Sequence, residues 1–444
     1  MSGGPRSGGS LPPIPHGDRR DRLFSRLGDG AMVLPAAPVR FRSGDSEYRY
    51  RADSELLYLT GWDLPDGIAL FRGFADEDRF VLFVPERDPA RELWTGSMRD
   101  PDDARAAFGA DRVLPLGDFS TRASGLLAGG DGIWYRLGAS EMCDRVVREA
   151  LRGGWSRRPR DGVGPYRLVD PGAILDGLRL RKDAAEIARI RRAAKITVAA
   201  FREALPRVRA GVGEWEVEAA LEFGFRSRGA GGPAFTTIVA AGVNACTLHY
   251  TANDSRVGAD DLVLVDAGAE YGGYAADITR TVPASRGLEG VRREVYEVVL
   301  NAHRAAVAAC APGTTLDGVH AAAVREVSEG LVAVGAVKGP PEEVGERKLY
   351  RPFFPHRTSH WLGLDTHDAG PYRDRSGPVR LEPGMVFTVE PGLYFPPGRD
   401  PELPALEGTG IRIEDDVLIT GEGAEVLTAG LPVGVDELVR LTEG

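Results

Sequence analysis

The stretch LVLVDAGAEYGGYAADITRT, residues 262–281, decides how the second half of this chain folds. Apolar and β-branched runs flank Gly272 and Gly273, a two-residue turn signal, so the spacing predicts a hairpin with Tyr271 facing Tyr274. That register sets Asp266 opposite Thr279 and leaves Asp277 on the same face, a diagonal neighbour within reach of a shared ion. Aspartates near a turn are more often simply solvated. Here Asp266 follows four apolar residues, and a buried carboxylate requires a cation or several donors.

Outward from the hairpin, the same chemistry recurs. Residues 354–368, FPHRTSHWLGLDTHD, hold three of the seven histidines, His356, His360 and His367. His249 precedes the hairpin, in LHYTAN. Glu390 ends a strand-like run whose other face is Met385, Phe387 and Val389, and Glu414 shares a face with Arg412 in GIRIEDD. Each glutamate alone, like Arg412, reads as an ion-pair partner. Four carboxylates on inward strand positions would balance two divalent cations. With one or more imidazoles they suit first-row metals that accept oxygen ligands. His303 and His320 fall in helical segments without matching carboxylates and read as ordinary helix residues.

The rest of the chain frames this set. At 444 residues it is too long for one ordinary core, which predicts two domains. A 43% hydrophobic, 27% charged composition is that of a folded globular protein. The net charge of -10, with no Lys/Arg-dense face, argues against a nucleic-acid partner. Three widely spaced cysteines predict a reducing compartment and no disulfide framework. Residues 1–20 are Gly-, Pro-, Ser- and Arg-rich without an apolar run, predicting a flexible tail and a cytoplasmic protein. No uncharged apolar stretch reaches the ~18 residues of a membrane span.

Buried strands are predicted at 31–34, 68–71, 80–84 and 132–137, with helices at 104–108 and 140–151, giving an N-terminal α/β mixed-sheet domain over 21–172. The charged, Gly/Pro-rich residues 156–170 predict its boundary. The second domain, 173–444, opens with a helix on which Ile187, Ile190, Ala194, Val198, Phe201 and Leu205 recur at helical spacing. A helix at 213–223 follows. Strand-rich passages at 262–281, 386–394 and 410–420, with helices at 291–310 and 316–334 between them, make the overall class α+β. An internal duplication would fit that order, although no sequence repeat is visible.

DAGAEYGGYAADITRT, SHWLGLDTHD, VEPGLY and GIRIEDD together resemble the metal motifs of the aminopeptidase P and prolidase family, with its pita-bread catalytic fold. YRYRADSELLYLTGW and the ELWTG around Trp94 are similar to that family's N-terminal domain. The resemblance implies two divalent ions, usually Mn2+, with Co2+ or Zn2+ as alternatives. Asp266 would chelate one ion, His360 and Glu390 the other, and Asp277 and Glu414 would bridge them. His249 and His367 match histidines around the scissile peptide, and Arg412 the motif arginine. His356, Tyr394 and Trp94 match substrate-side positions, Trp94 from a neighbouring subunit. One departure is Arg357, where the family usually has Gly.

The implied activity is hydrolysis of the N-terminal Xaa-Pro bond of peptides through a metal-bridging hydroxide, with Glu390 passing a proton to the leaving nitrogen. The implied assembly is a homo-oligomer, dimer or tetramer. Two other readings stand beside it: a prolidase, which accepts only Xaa-Pro dipeptides, and a metal-free pita-bread module that binds peptides.

Overall fold

The computed structural model describes residues 11–96, 101–285, 287–399 and 402–442. The chain divides into two compact units that meet in sequence between Leu178 and Arg179. Of the expected N-terminal tail, residues 1–10 lie outside the described residues. From His16 the chain is already helical, over His16–Leu27, with Arg19, Leu23 and Leu27 buried. Residues 16–20, expected to belong to that tail, are instead helical, because an apolar stripe on this helix packs into the first unit.

The first unit is built on a six-stranded mixed sheet. Its order is Arg112–Pro115, Phe80–Val84, Ile68–Arg72, Ala31–Pro35, Gly132–Trp134, Arg167–Val169. The three central strands pair antiparallel and the outer ones parallel. Phe80–Val84 is buried along its whole length, as its unbroken apolar run requires. The strand expected over 132–137 stops at Trp134, and Leu137 is exposed.

The helix expected over 140–151 continues to Asp161, through much of the stretch read as a boundary. Pro159 is tolerated because it lies in the last turn, where Arg158 and Arg160 face the helix dipole and left-handed Gly162 closes the end.

In the second unit the hairpin has the expected register, Asp266 opposite Thr279 and Tyr271 opposite Tyr274. The long first helix runs Ala184–Ala204 from a capping box of Asp183 and Glu186. The helices Glu214–Ser227, Gly290–Ala308 and Leu316–Ala333 contribute buried apolar side chains to the same large core as the strands.

Two predicted strands are each interrupted. Residues 386–394 divide into Val386–Val389, paired with Asp415–Ile419, and Gly392–Phe395, paired with Thr409–Arg412. Both interruptions fall at the acidic residues, Glu390 on one side and Glu414 on the other. Pro391 brings no N–H to a ladder, which favours a break at this point.

Asp277 occupies a similar interruption, between Tyr274–Ala275 and Ile278–Pro283. Opposite it lies Gly268, where an added Cβ would stand 1.6 Å from the Ala276 carbonyl oxygen. Gly268→Ala must therefore push aside the backbone that leads into Asp277. The expected loss is about 1–3 kcal/mol, typical of overpacking, read as a lower Tm. An unchanged Tm would mean that the hairpin yields freely here.

Candidate metal centre

The interruptions leave each acidic residue with its backbone bonded outside its own ladder. Glu390 N–H donates to the Thr358 carbonyl at 2.8 Å, and Glu414 N–H to that of Thr279 at 3.1 Å. Asp277 N–H donates to the Asp416 carboxylate at 3.2 Å. These bonds fix three of the carboxylates and the strand ladder fixes Asp266, while the side chains of all four line a cavity of about 840 Å3. Asp266, Asp277, Glu390, Glu414, His360, His249, His356, His367 and Arg412 all line it.

His360 Nε2 lies 3.6 Å from both Asp277 Oδ2 and Glu390 Oε1. Its Nδ1 is 3.0 Å from the Trp361 carbonyl, which can only accept, so Nδ1 carries the proton and Nε2 offers a lone pair. Ligand atoms of Asp277, His360 and Glu414 come within 4.8 Å of one another. Asp266 gives one oxygen to Arg412 Nη2 at 2.5 Å, and Thr279 Oγ1 donates to Glu414 Oε2 at 2.6 Å. Asp266 Oδ1 and Asp277 Oδ1 are buried without a hydrogen-bond partner among the described residues. Buried carboxylate oxygens left this way fit a seat for divalent cations.

The electrostatics of the protein alone agree with that fit. Burial, reinforced by Glu414 and Asp266, raises the Asp277 pKa well above the carboxylate range. Burial with Glu390 and Asp266 nearby does the same to Glu414. Glu390 is raised to about 8, mainly by burial, with Arg412 opposing and Asp266 adding to the shift. Burial opposes the charge on Arg412, yet Tyr394, Asp266 and Glu414 raise its pKa well above the ordinary value. Desolvation holds His360 down to about 4 and His356 to about 3, so both rings are neutral.

Tyr394 lies behind the cavity wall. Its hydroxyl accepts from Arg412 Nη1 at 2.9 Å and donates to His356 Nε2 at 2.9 Å, His356 Nδ1 being committed to the Arg357 carbonyl. The expected substrate-side tyrosine is thus a link between two cavity side chains. Trp94 belongs to the first unit, on the helix Pro89–Thr95, and is 86% exposed.

Sequence reasoning missed the side chains that hold these groups in place. Asp368 is buried against Lys182 Nζ at 3.0 Å and Arg179 Nη2 at 2.5 Å, which fixes the loop bearing His367. Glu214, fully buried, accepts from Ala241 N, Asn244, Tyr250 and Ser255 N, tying down the loop that carries His249.

The two dismissed histidines also have partners. His303 Nε2 is 3.1 Å from Asp415 Oδ2, and Asp415 pairs with buried Arg280 at 2.8 Å. His320 Nδ1 is 2.8 Å from Thr358 Oγ1, on the residue whose carbonyl holds Glu390. Both lie in helices, as expected, and neither lines the cavity; their polar neighbours come from distant strands and loops, which local spacing does not reveal.

Fold and seat together define a pita-bread metallopeptidase. The chain belongs to Metallopeptidase family M24, which it matches over residues 188–421, and residues 16–134 match the aminopeptidase P N-terminal domain. It is 39% identical to the Xaa-Pro aminopeptidase of Escherichia coli (strain K12), over 95% of this chain and 96% of that protein. The structure of Pseudomonas aeruginosa aminopeptidase PepP superposes with a TM-score of 0.91 at 40% identity, covering 97% of this chain and 98% of that one. Zn-substituted E. coli aminopeptidase P in complex with product matches with a TM-score of 0.91 at 38% identity, over 98% and 99% of the two chains.

Proton linkage gives a direct test. Glu390 is raised from 4.5 to about 8 in the folded protein, so without metal the native state binds a proton that the unfolded state has already released. Its stabilising contribution is complete below about pH 4.5 and is lost as pH rises through about 8. Metal-free protein should therefore show a Tm that falls between pH 5 and 8.5. Metal-loaded protein, its carboxylates already ionised, should not show that fall. Parallel pH profiles of the two forms would contradict the assignment.

Proposed function

We propose that the chain is an Xaa-Pro aminopeptidase, releasing the first residue from peptides with proline second. The preference for proline rests on the relatives reported above; the observation that carries the metal chemistry is the pair of buried oxygens, Asp266 Oδ1 and Asp277 Oδ1, without a partner among the described residues, in a cavity lined by imidazoles. In this reading Asp266 holds one ion, His360 and Glu390 the other, and Asp277 and Glu414 both. Bound there, two divalent ions would supply an activated water and polarise the scissile carbonyl. A set of four carboxylates and one imidazole, with no thiolate, favours Mn2+ or Co2+ over Zn2+.

The remaining steps belong to the protein's own side chains. His249 and His367 reach into the cavity as donors to the carbonyl oxygen when it gains negative charge. Glu390, which lines the cavity beside His360, would pass a proton to the leaving imino nitrogen. Asp266 receives the substrate's α-amine, with Arg412 orienting its carboxylate. His356 faces the peptide, kept neutral and oriented through Tyr394.

The 86% exposure of Trp94 supports its use by a neighbouring copy in a homo-oligomer. Three free thiols support a reducing, cytoplasmic setting. The prolidase reading is not favoured, since the relatives reported above act as aminopeptidases.

An assay of one metal-loaded preparation on a tripeptide with proline second and on the matching Xaa-Pro dipeptide tests the proposal. The tripeptide is expected to show the higher kcat/KM, and chelation to abolish both activities. Cleavage of the dipeptide alone would mean a prolidase. Full activity after metal removal would rule out the metal mechanism.

A further inference from the structure

Three segments far apart in sequence bring charge to one part of the cavity wall. Arg357 follows His356 in the histidine loop, Asp317 sits in the first turn of the helix Leu316–Ala333, and Arg373 lies on the small hairpin strand Arg373–Asp374. Asp317 pairs through Oδ1 with Arg357 Nη2 and through Oδ2 with Arg373 Nη1 at 3.1 Å. All three side chains line the same cavity as the carboxylates.

Their exposure differs sharply from that of the seat. The Arg357 and Arg373 side chains are 59% and 65% accessible, against 17% for Glu390 and 14% for His360. The arginines therefore belong to the mouth of the cavity and the carboxylates to its floor. One acid shared by two guanidinium groups leaves a net positive charge, with N–H donors of each fork that have no partner among the described residues and can meet another planar anion.

We propose that Arg357 and Arg373, held together by Asp317, form a carboxylate clamp for the residue that follows the substrate's proline. The inference rests on the aminopeptidase reading above. The scissile carbonyl must reach the buried floor, so the part of the peptide beyond proline lies toward the mouth. A carboxylate there comes from one of two sources: the free C-terminus of a tripeptide, or an acidic side chain at the third position of a longer peptide. Both present the same planar anion to the clamp. Arg357, which replaces the small residue expected at that point of the loop, thus becomes a specificity determinant.

The test compares kcat/KM for three peptides: alanyl-prolyl-alanine, its C-terminal amide, and alanyl-prolyl-aspartic acid α-amide. Wild-type protein is expected to prefer each carboxylate-bearing peptide over the neutral amide by roughly fivefold, the scale of one solvent-exposed ion pair, chiefly through KM. A preference for the first alone identifies the C-terminus as the ligand, and for the third alone the side chain. Arg357→Ala with Arg373→Ala should bring the ratio close to one. Asp317→Asn, which releases both guanidinium groups, should increase it. Equal rates for all three wild-type reactions would overturn the clamp while leaving the peptidase reading intact, whereas no cleavage of any peptide would overturn that reading itself. A lower ratio in Asp317→Asn would show that these residues only brace the loop.

Discussion

Everything in the second unit answers to one constraint: four carboxylates must share a buried space. Asp266, Asp277, Glu390 and Glu414 would repel one another and lose hydration at once, and the raised pKa values of Asp277, Glu390 and Glu414 express that conflict. Arg412 relieves only part of it, through one oxygen of Asp266. Divalent cations would relieve the rest, and the energy the fold invests in crowding the acids then becomes affinity for metal.

Backbone interruptions are how the fold delivers those acids. A continuous ladder alternates side chains between its faces, so it cannot aim neighbouring carboxylates at a single point. Breaks at Asp277, Glu390 and Glu414 free the backbone to turn, and bonds to Asp416, Thr358 and Thr279 restore what the ladder loses. A second layer of buried charge then fixes the surrounding loops. Asp368 with Arg179 and Lys182 secures the His367 loop, Glu214 the His249 loop, and Arg280 with Asp415 the strand that follows Glu414. Rigid support of this kind lets exposed histidines work at fixed positions.

Much of this was legible in the sequence where the signal is local. The Gly272-Gly273 turn sets the hairpin register because side chains alternate with a period of two, so Asp266 could be placed opposite Thr279 from spacing alone. The buried strand Phe80–Val84 shows itself through its unbroken apolar run. Non-local features were not legible. Nothing around His303 announces Asp415, and nothing around Glu214 announces the loop it holds. The strand breaks at Glu390 and Glu414 arise from pairing partners that change, which a one-dimensional pattern does not record. Arg373 escaped notice for the same reason, since only the folded hairpin brings it to Asp317.

The central claim is that this cavity is a two-ion seat. It is tested most directly by anomalous diffraction from crystals of the manganese-loaded protein, recorded above and below the manganese absorption edge. The account predicts two edge-dependent peaks, one beside Asp266 and one beside His360 and Glu390, with Asp277 and Glu414 between them. A single peak at saturating manganese, or none within reach of these five residues, would contradict it.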